Sequence, residues 1–498
     1  MALIVISAAI TTSVAIGSRV SLWDDETATA SEATRSVAQL LRLLSHSEGG
    51  LAGYVIAMRG WAALAGTSEL ALRLPSLAAL AFIVVGAGWI TWRTAGAFAA
   101  VVAAAAVALH PTLAPIYGIE ARPYAVSTAL AVLAALIAHR VSRGEGRFPY
   151  ITWSVVAGAA IACHVLVVFA VAPQVLWLLP ARRGDRSRAF ALAVALPTAV
   201  AIAMVVLTAR ATVLQSWIDP ITASSLLAIS RAVLATGALA AIVASVPGLL
   251  LWRGRRDGSP AESPSDPVDL AVLIGWAALP LCALAFLSLV STPTLVARYA
   301  LSSAVPMAAL AGIAVSRAVA GIRTRPRAVA SFVATAVLLI GLVGAGGLYV
   351  RAGALRPADK PTDLRGAARW VLDHEHDGDG ILYAPTWAEM GMRWYLVDSA
   401  NRRPPTDVTA QSTTSASAAG SLFTPTIDPT SARARLAALR RIWIAGYGNE
   451  TPWQPVPEVG IPLAMLVRRC WTPVDQHRFG ITIELWARPA TVKAAGCP

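Results

Sequence analysis

The residues best equipped for chemistry in this 498-residue chain are three consecutive carboxylates, Asp24, Asp25 and Glu26. They lie in the run Ser21-Leu22-Trp23-Asp24-Asp25-Glu26-Thr27, directly after an apolar block. A carboxylate so placed can take a proton from an attacking hydroxyl, orient an acceptor or ligate a divalent cation. The same residues would also serve as the first turn of a helix, where negative charge is favoured, with the apolar-periodic Ala28–Leu44 continuing it. The residues alone leave both readings open.

A second group is Glu120-Ala121-Arg122-Pro123-Tyr124, between two further apolar blocks, where Pro123 suits a first helical turn. Glu120 and Arg122 either pair, which at an exposed end is worth about 0–1 kcal/mol, or Arg122 offers its planar fork to a phosphate. Arg73, Arg210 and Arg298 each stand alone at a block end. Such an arginine needs a partner or an anionic ligand, or else snorkels to lipid headgroups, the reading that fits Arg210 best. His164 lies inside an apolar block, either as a hydrogen-bonding residue or as a ligand-binding one. Gln215 and Trp217 suit a sugar-stacking lip, although anchoring at an interface explains Trp217 equally well. The run Asp373-His374-Glu375-His376-Asp377-Gly378 opens like a calcium loop, but its twelfth position is Ala384 where a bidentate Glu is required. It reads as a polar helix-to-strand turn.

The elements that must position these residues are long and apolar. Hydrophobic residues make up 56% of the chain and charged ones 14%, against roughly 25% charged in soluble domains. Apolar blocks run over 3–20, 72–92, 96–116, 123–139, 150–179, 189–208, 227–251, 268–290, 299–316 and 328–350, and a weaker one over 51–66. The net charge of +13 comes from arginines in short clusters between blocks, not along one helix face, which argues against nucleic-acid binding. Arginine clusters mark cytoplasmic loops. Those after 92, 139, 179, 251 and 316 are mutually consistent if the N-terminus is inside and the first block, Ala2–Val20, is an uncleaved span. The block 51–66 then lies flat at the outer interface, with Tyr54 and Trp61 at headgroup depth. The block 150–179, basic at both ends, breaks into two short helices near His164. About 11 spans result, with 21–71, 117–122, 209–226, 291–298 and the tail outside.

The polar tail reads as a small α/β domain, with helices at Leu364–Leu372 and Ala432–Arg440 and strands at Gly380–Tyr383, Arg441–Ala445 and Ile481–Trp486. Gln411–Thr424 reads as a mobile Ser/Thr/Ala-rich loop. Cys470 and Cys497 could pair if this domain is extracytoplasmic, a point spacing leaves open. The domain limits are 1–353 and 354–498.

Taken together, these pieces resemble the GT-C superfamily of lipid-phosphate-sugar glycosyltransferases, in particular its bacterial protein O-mannosyltransferase and aminoarabinose-transferase-like branch. Asp25-Glu26 is similar to that family's acidic pair in the first loop. Ala33-Thr34-Arg35-Ser36, followed by Leu40 to His46, is similar to its next amphipathic helix, and Leu72-Arg73-Leu74-Pro75-Ser76 to its entry to the second span. Glu120 to Tyr124, Arg298-Tyr299 and Asp363 to Ala368 complete the likeness. One departure is Ser47-Glu48-Gly49-Gly50-Leu51-Ala52-Gly53-Tyr54, with Glu48 standing in for the aspartate that the resemblance implies and no histidine after it. The resemblance implies an all-α polytopic membrane domain, a small C-terminal α/β domain, and transfer of a sugar from a polyprenyl-phosphate donor at the outer face of the cytoplasmic membrane. The acceptor would be a lipid, glycan or protein. Asp25 would be the base, with Glu26 and Glu48 orienting the acceptor and Arg73, Arg122 or Arg298 meeting the phosphate. Mannose is the first expectation for the sugar and arabinose the second, with a divalent cation left open. A transporter or flippase of polyprenyl-linked lipid is the competing class.

Overall fold

A computed structural model describes residues 20–110, 113–144, 149–179, 187–209, 218, 220–224, 226, 229, 266–291, 293–322, 362–397, 403–447, 456–489 and 497. The chain is an all-α membrane bundle followed by a small α/β unit. Among the described residues, five helices are long and apolar enough to cross a membrane: Glu69–Ala108, Pro123–Ser142, Ser187–Ala209, Pro267–Val290 and Ala297–Arg317. The blocks at 3–20, 227–251 and 328–350 lie essentially outside the described residues, so the count of eleven spans stays an expectation.

Three short helices come first: α1 (Asp24–Ala33), α2 (Val37–His46) and α3 (Ala52–Ala65). The expected continuous helix over Ala28–Leu44 is broken because Ser36 starts a new one. Its hydroxyl accepts from the Gln39 amide (3.3 Å) and the Gln39 side chain accepts from the Ser36 amide (3.0 Å), a reciprocal capping box. The next helix, α4 (Glu69–Ala108), is two arms meeting at Gly96, whose φ of +84° is open to glycine at little steric cost. A Cβ on Gly88 would lie 3.3 Å from the Ala104 Cβ, whereas a straight helix would hold these residues about 24 Å apart. The arms are therefore antiparallel, and the blocks 72–92 and 96–116 form a helical hairpin.

Helix α5 (Pro123–Ser142) begins at the expected proline. The 150–179 block divides into α6 (Pro149–Cys163) and the shorter apolar stretch α7 (Val165–Leu178). They meet at His164, which is extended (φ −158°, ψ 110°). Helices α8 (Ser187–Ala209), α9 (Pro267–Val290) and α10 (Ala304–Ile322) complete the described bundle, α10 being preceded by the 3-10 turn Ala297–Ser303. Trp153, Trp177 and Trp276 are fully buried in its core. Tyr54 does not face outward as expected: it is 2% exposed and packs with Leu22, Ala30, Leu40 and Ala121, because α3 turns this side to α1. Trp61 donates to the Ala71 carbonyl (2.7 Å).

The C-terminal unit comprises α11 (Leu364–His374), β1 (Gly380–Ala384), α12 (Glu389–Val397), β2 (Thr406–Asp407), α13 (Ala416–Ala419), α14 (Pro429–Ala438), β3 (Arg441–Gly446), α15 (Gly460–Cys470), β4 (Thr472–Arg478) and β5 (Thr482–Ala487). The sheet order is β2-β1-β3-β5-β4, parallel from β2 to β3 and antiparallel from β3 to β4. Apolar clusters cover both faces, one centred on Trp443 and Ile483, the other on Leu382 and Ile444. The three expected strands are present. β4 escaped notice because every residue in it is exposed and it carries no inward apolar set. The Cys470–Cys497 disulfide forms, with Cα atoms 5.7 Å apart. The expected mobile loop 411–424 is instead docked. Leu422 and Phe423 are buried with Ala28 and Leu43, and Gly420 lies against Arg42. Apolar burial under a short loop is enough to fix it despite its polar composition.

Candidate active site

Successive residues of a helix point about 100° apart, and the three carboxylates opening α1 go three ways. Asp24 turns to the C-terminal unit, where the Tyr447 hydroxyl donates to it (2.6 Å). Burial pushes its pKa up to about 6, against the pull of that hydrogen bond. Glu26 turns inward: it is 1% exposed, bound by the Arg73 guanidinium, and accepts from the Ala121 amide (2.8 Å). Arg73 also donates to the Val20 (2.6 Å) and Ser21 (2.9 Å) carbonyls. This buried pair fixes α1 to the start of α4 and to the Glu120–Arg122 turn. Asp25 points between these, its side chain 29% exposed, and accepts from Arg298 (3.1 Å).

Arg298, at the 3-10 entry to α10, lies over Tyr124 and Tyr299, 5.8 Å from each ring centre, a cation–π arrangement. Those rings continue to His164 at the α6–α7 break. His164 is 5.6 Å from Tyr124 and 5.3 Å from Tyr299, and Tyr117 is 6.0 Å from Tyr124. Arg122 does not bond the Glu120 side chain. It donates to the Asp25 carbonyl (3.2 Å) and the Thr29 hydroxyl (3.4 Å), and its Nε has no partner among the described residues. Burial opposes the charge on Arg122, but Asp25, Tyr124, Glu48 and Glu32 outweigh it and hold the group well above the usual arginine value. Burial, then Glu26 and Asp25, pushes the Glu120 carboxyl well up, and one of its oxygens lacks a partner among the described residues.

Glu48, half-buried before the turn Gly49–Leu51, is raised by burial and by Asp25 against the pull of Arg122. The structure thus brings together Asp25, Glu48, Glu120, Arg122, Tyr124, His164, Arg298 and Tyr299. Arg73 and Glu26 sit behind them, committed to each other. Gln215, Trp217 and Arg210 lie outside the described residues.

Three residues join this group that the sequence did not mark as site residues. Glu32 on α1 is fully buried, with neither carboxylate oxygen bonded among the described residues. Burial first, then Glu48 and Asp25, pushes its pKa up to about 8 against the pull of Arg122 and Arg35. Arg35 is 3% exposed and donates to the Ser421 carbonyl (2.5 Å), while its Nε and Nη1 are unbonded among the described residues. The Tyr54 hydroxyl is likewise unbonded among them. The signal for Glu32 was its spacing. It lies seven places after Asp25, two helical turns on and nearly the same face, within a run of small residues. Among the described residues, no three His, Cys, Asp or Glu side chains gather to hold a metal ion.

No family model and no curated protein matches this sequence. Solved structures do. The chain resembles ArnT from Cupriavidus metallidurans in the apo state (TM-score 0.59, 13% identity, 97% of each chain covered). It equally resembles ArnT from the same organism bound to undecaprenyl phosphate (TM-score 0.57, 13% identity, 97% of each chain covered). The archaeal oligosaccharyltransferase AglB from Archaeoglobus fulgidus, in complex with an inhibitory peptide and a dolichol-phosphate, aligns at TM-score 0.46 and 12% identity over 98% of this chain and 74% of its own. The chain shares the overall fold of these ArnT structures.

Proposed function

We propose that this chain is a membrane glycosyltransferase that moves a sugar from a polyprenyl-phosphate donor to an acceptor hydroxyl, with Asp25 as general base. The observation that carries the reading is the half-open Asp25 carboxylate, held by Arg298 and flanked by Arg122 over a floor of Tyr124, His164 and Tyr299. A base and two guanidiniums at one point match what displacement at a sugar phosphate needs. The acceptor oxygen attacks the anomeric carbon as its proton passes to Asp25. The bond from that carbon to the phosphate oxygen breaks, and polyprenyl phosphate leaves with the electron pair. Arg298 and Arg122 oppose the charge that grows on it. In-line attack inverts the anomeric centre.

Glu26 takes a scaffolding part here, keeping Arg73 and the Ala121 amide in place, so the phosphate falls to Arg122 and Arg298. The undecaprenyl phosphate bound to the structurally similar ArnT supports a polyprenyl carrier. Mannose is the preferred sugar, arabinose the second. The acceptor is a lipid, glycan or protein. The chain sits in the cytoplasmic membrane with its N-terminus inside and residues 354–498 outside, in keeping with the arginine clusters and the Cys470–Cys497 disulfide.

The test is Asp25→Asn in membrane vesicles supplied with undecaprenyl-phosphoryl mannose. Loss of sugar transfer by about 100-fold or more, the ordinary contribution of a general base, is expected with thermal stability retained. Undiminished transfer would remove Asp25 from the role. Movement of the lipid across the vesicle without transfer by the wild type would favour the transporter class.

A further inference from the structure

The Glu32 carboxyl is completely enclosed, and both its oxygens lack a partner among the described residues. Leaving a buried polar group unbonded costs about 1–3 kcal/mol, so a fold keeps one where something else bonds it. Two further polar atoms in the same group are open in the same way, the Tyr54 hydroxyl and Arg122 Nε. These three come from different elements, α1, α3 and the turn before α5, and they converge electrostatically, Arg122 acting on both Glu32 and Tyr54.

We propose that Glu32 and Tyr54 form a recognition pocket for hydroxyl groups of a sugar, two turns along α1 from Asp25. The proposal rests on the glycosyltransferase reading. Its geometry is that of one helix face: about two turns, roughly 10 Å of rise, separate the two acids. That separation matches a sugar whose reacting centre is at Asp25 and whose distal hydroxyl reaches toward Glu32. The chemistry is that of a neutral ligand. Arg35 and Arg122 both bear on Glu32, so an ammonium group there would meet two guanidiniums. A hydroxyl instead accepts from the protonated acid and donates to its carbonyl oxygen. Burial keeps Glu32 in that protonated form up to about pH 8. The charged and titratable groups bearing on it are Glu48, Arg122, Arg35 and Asp25, and it bears in turn on Tyr54.

Two substitutions test this in the full-length protein. Glu32→Leu removes the polar group at similar volume, and Glu32→Gln keeps a neutral donor and acceptor. Glu32→Leu should raise KM by about tenfold, the loss expected of one hydrogen bond to a buried group, and Glu32→Gln should recover most of it. The wild type should lose transfer as pH rises through about 8 and the Glu32→Gln variant should not. A KM change for undecaprenyl-phosphoryl mannose identifies the transferred sugar as the ligand, and one for the acceptor alone identifies an acceptor sugar.

Binding supplies a readout apart from turnover. The wild type should be stabilised more against heat by undecaprenyl-phosphoryl mannose than by undecaprenyl phosphate, and Glu32→Leu should lose that difference if the transferred sugar is the ligand. Wild-type KM for both substrates and an unchanged pH profile in both variants would overturn the Glu32 assignment while leaving the function standing. A wild type that neither binds nor transfers the sugar would overturn the function reading and the assignment with it. Should Glu32→Leu fail to fold, the pH profile of Glu32→Gln decides: one that still falls through about 8 overturns the proposal.

Discussion

The two ends of α5 treat buried charge in opposite ways. At its C-terminal end Asp269, from α9, is 2% exposed and used up. It accepts from the Trp177 indole (2.8 Å) and from Arg143 (3.0 Å), with the His139 ring 3.8 Å away. His139 is in turn held edge-on between Trp89 and Trp177. At the N-terminal end, Arg122, Glu120 and the neighbouring Glu32 each keep a polar atom unbonded among the described residues. The C-terminal end uses its acid to hold helices together; the N-terminal end does the same with Glu26 and Arg73 but leaves Glu32, Glu120 and Arg122 incompletely bonded among the described residues. Burial alone therefore does not mark function. Nor does burial without a partner, since both ring nitrogens of the buried His139 are unbonded among the described residues as well.

The sharpest way to break this contrast is to strip a partner from the most completely paired charge. Replacing Arg73 by Met leaves Glu26 buried beside apolar surroundings, and loss of about 3–5 kcal/mol of stability is expected. A collapse of yield and thermal midpoint, not a selective loss of transfer, is the outcome to look for. Asp269→Leu should cost less, about 1–3 kcal/mol, because Arg143 is 40% exposed on its side chain and regains water. The folded fraction should keep wild-type kcat and KM, and a change in KM would mean that the two ends communicate. Smallest is Tyr447→Phe, which deletes the hydrogen bond from the C-terminal unit to Asp24. A loss of about 1 kcal/mol and faster proteolysis of residues 354–498 is expected. Protease resistance equal to wild type would show that Asp24 contributes nothing to docking.

Much of the bundle was legible because the bilayer and the positive-inside rule restrict the options. Basic clusters at both ends of 150–179 demanded a break, and it falls at His164. The capping box at Ser36 and Gln39 was readable too, but the apolar spacing ran across it and suggested one helix. The site was legible as far as unusual residues advertised it, as Asp25, Arg122 and Arg298 do by breaking a charge-poor pattern. Glu32 did not, since one acid among alanines and threonines looks like solvated helix surface until the fold wraps α3 over it. Tyr54 failed for the converse reason: an aromatic near a membrane suits headgroups equally well. The docked loop 411–424 shows the limit of composition, because two buried residues, Leu422 and Phe423, outweigh eight polar ones.

The three acids that open α1 have a mechanical consequence. Asp24 is tied to the C-terminal unit, Asp25 to the entry of α10 and Glu26 to the base of α4. This short helix is a three-legged mount, and the proposed base is the middle leg. Turning it to aim Asp25 differently would pull on both neighbours at once. The C-terminal unit thereby becomes part of the alignment of the proposed base, and removing it would leave that carboxylate present but unaimed.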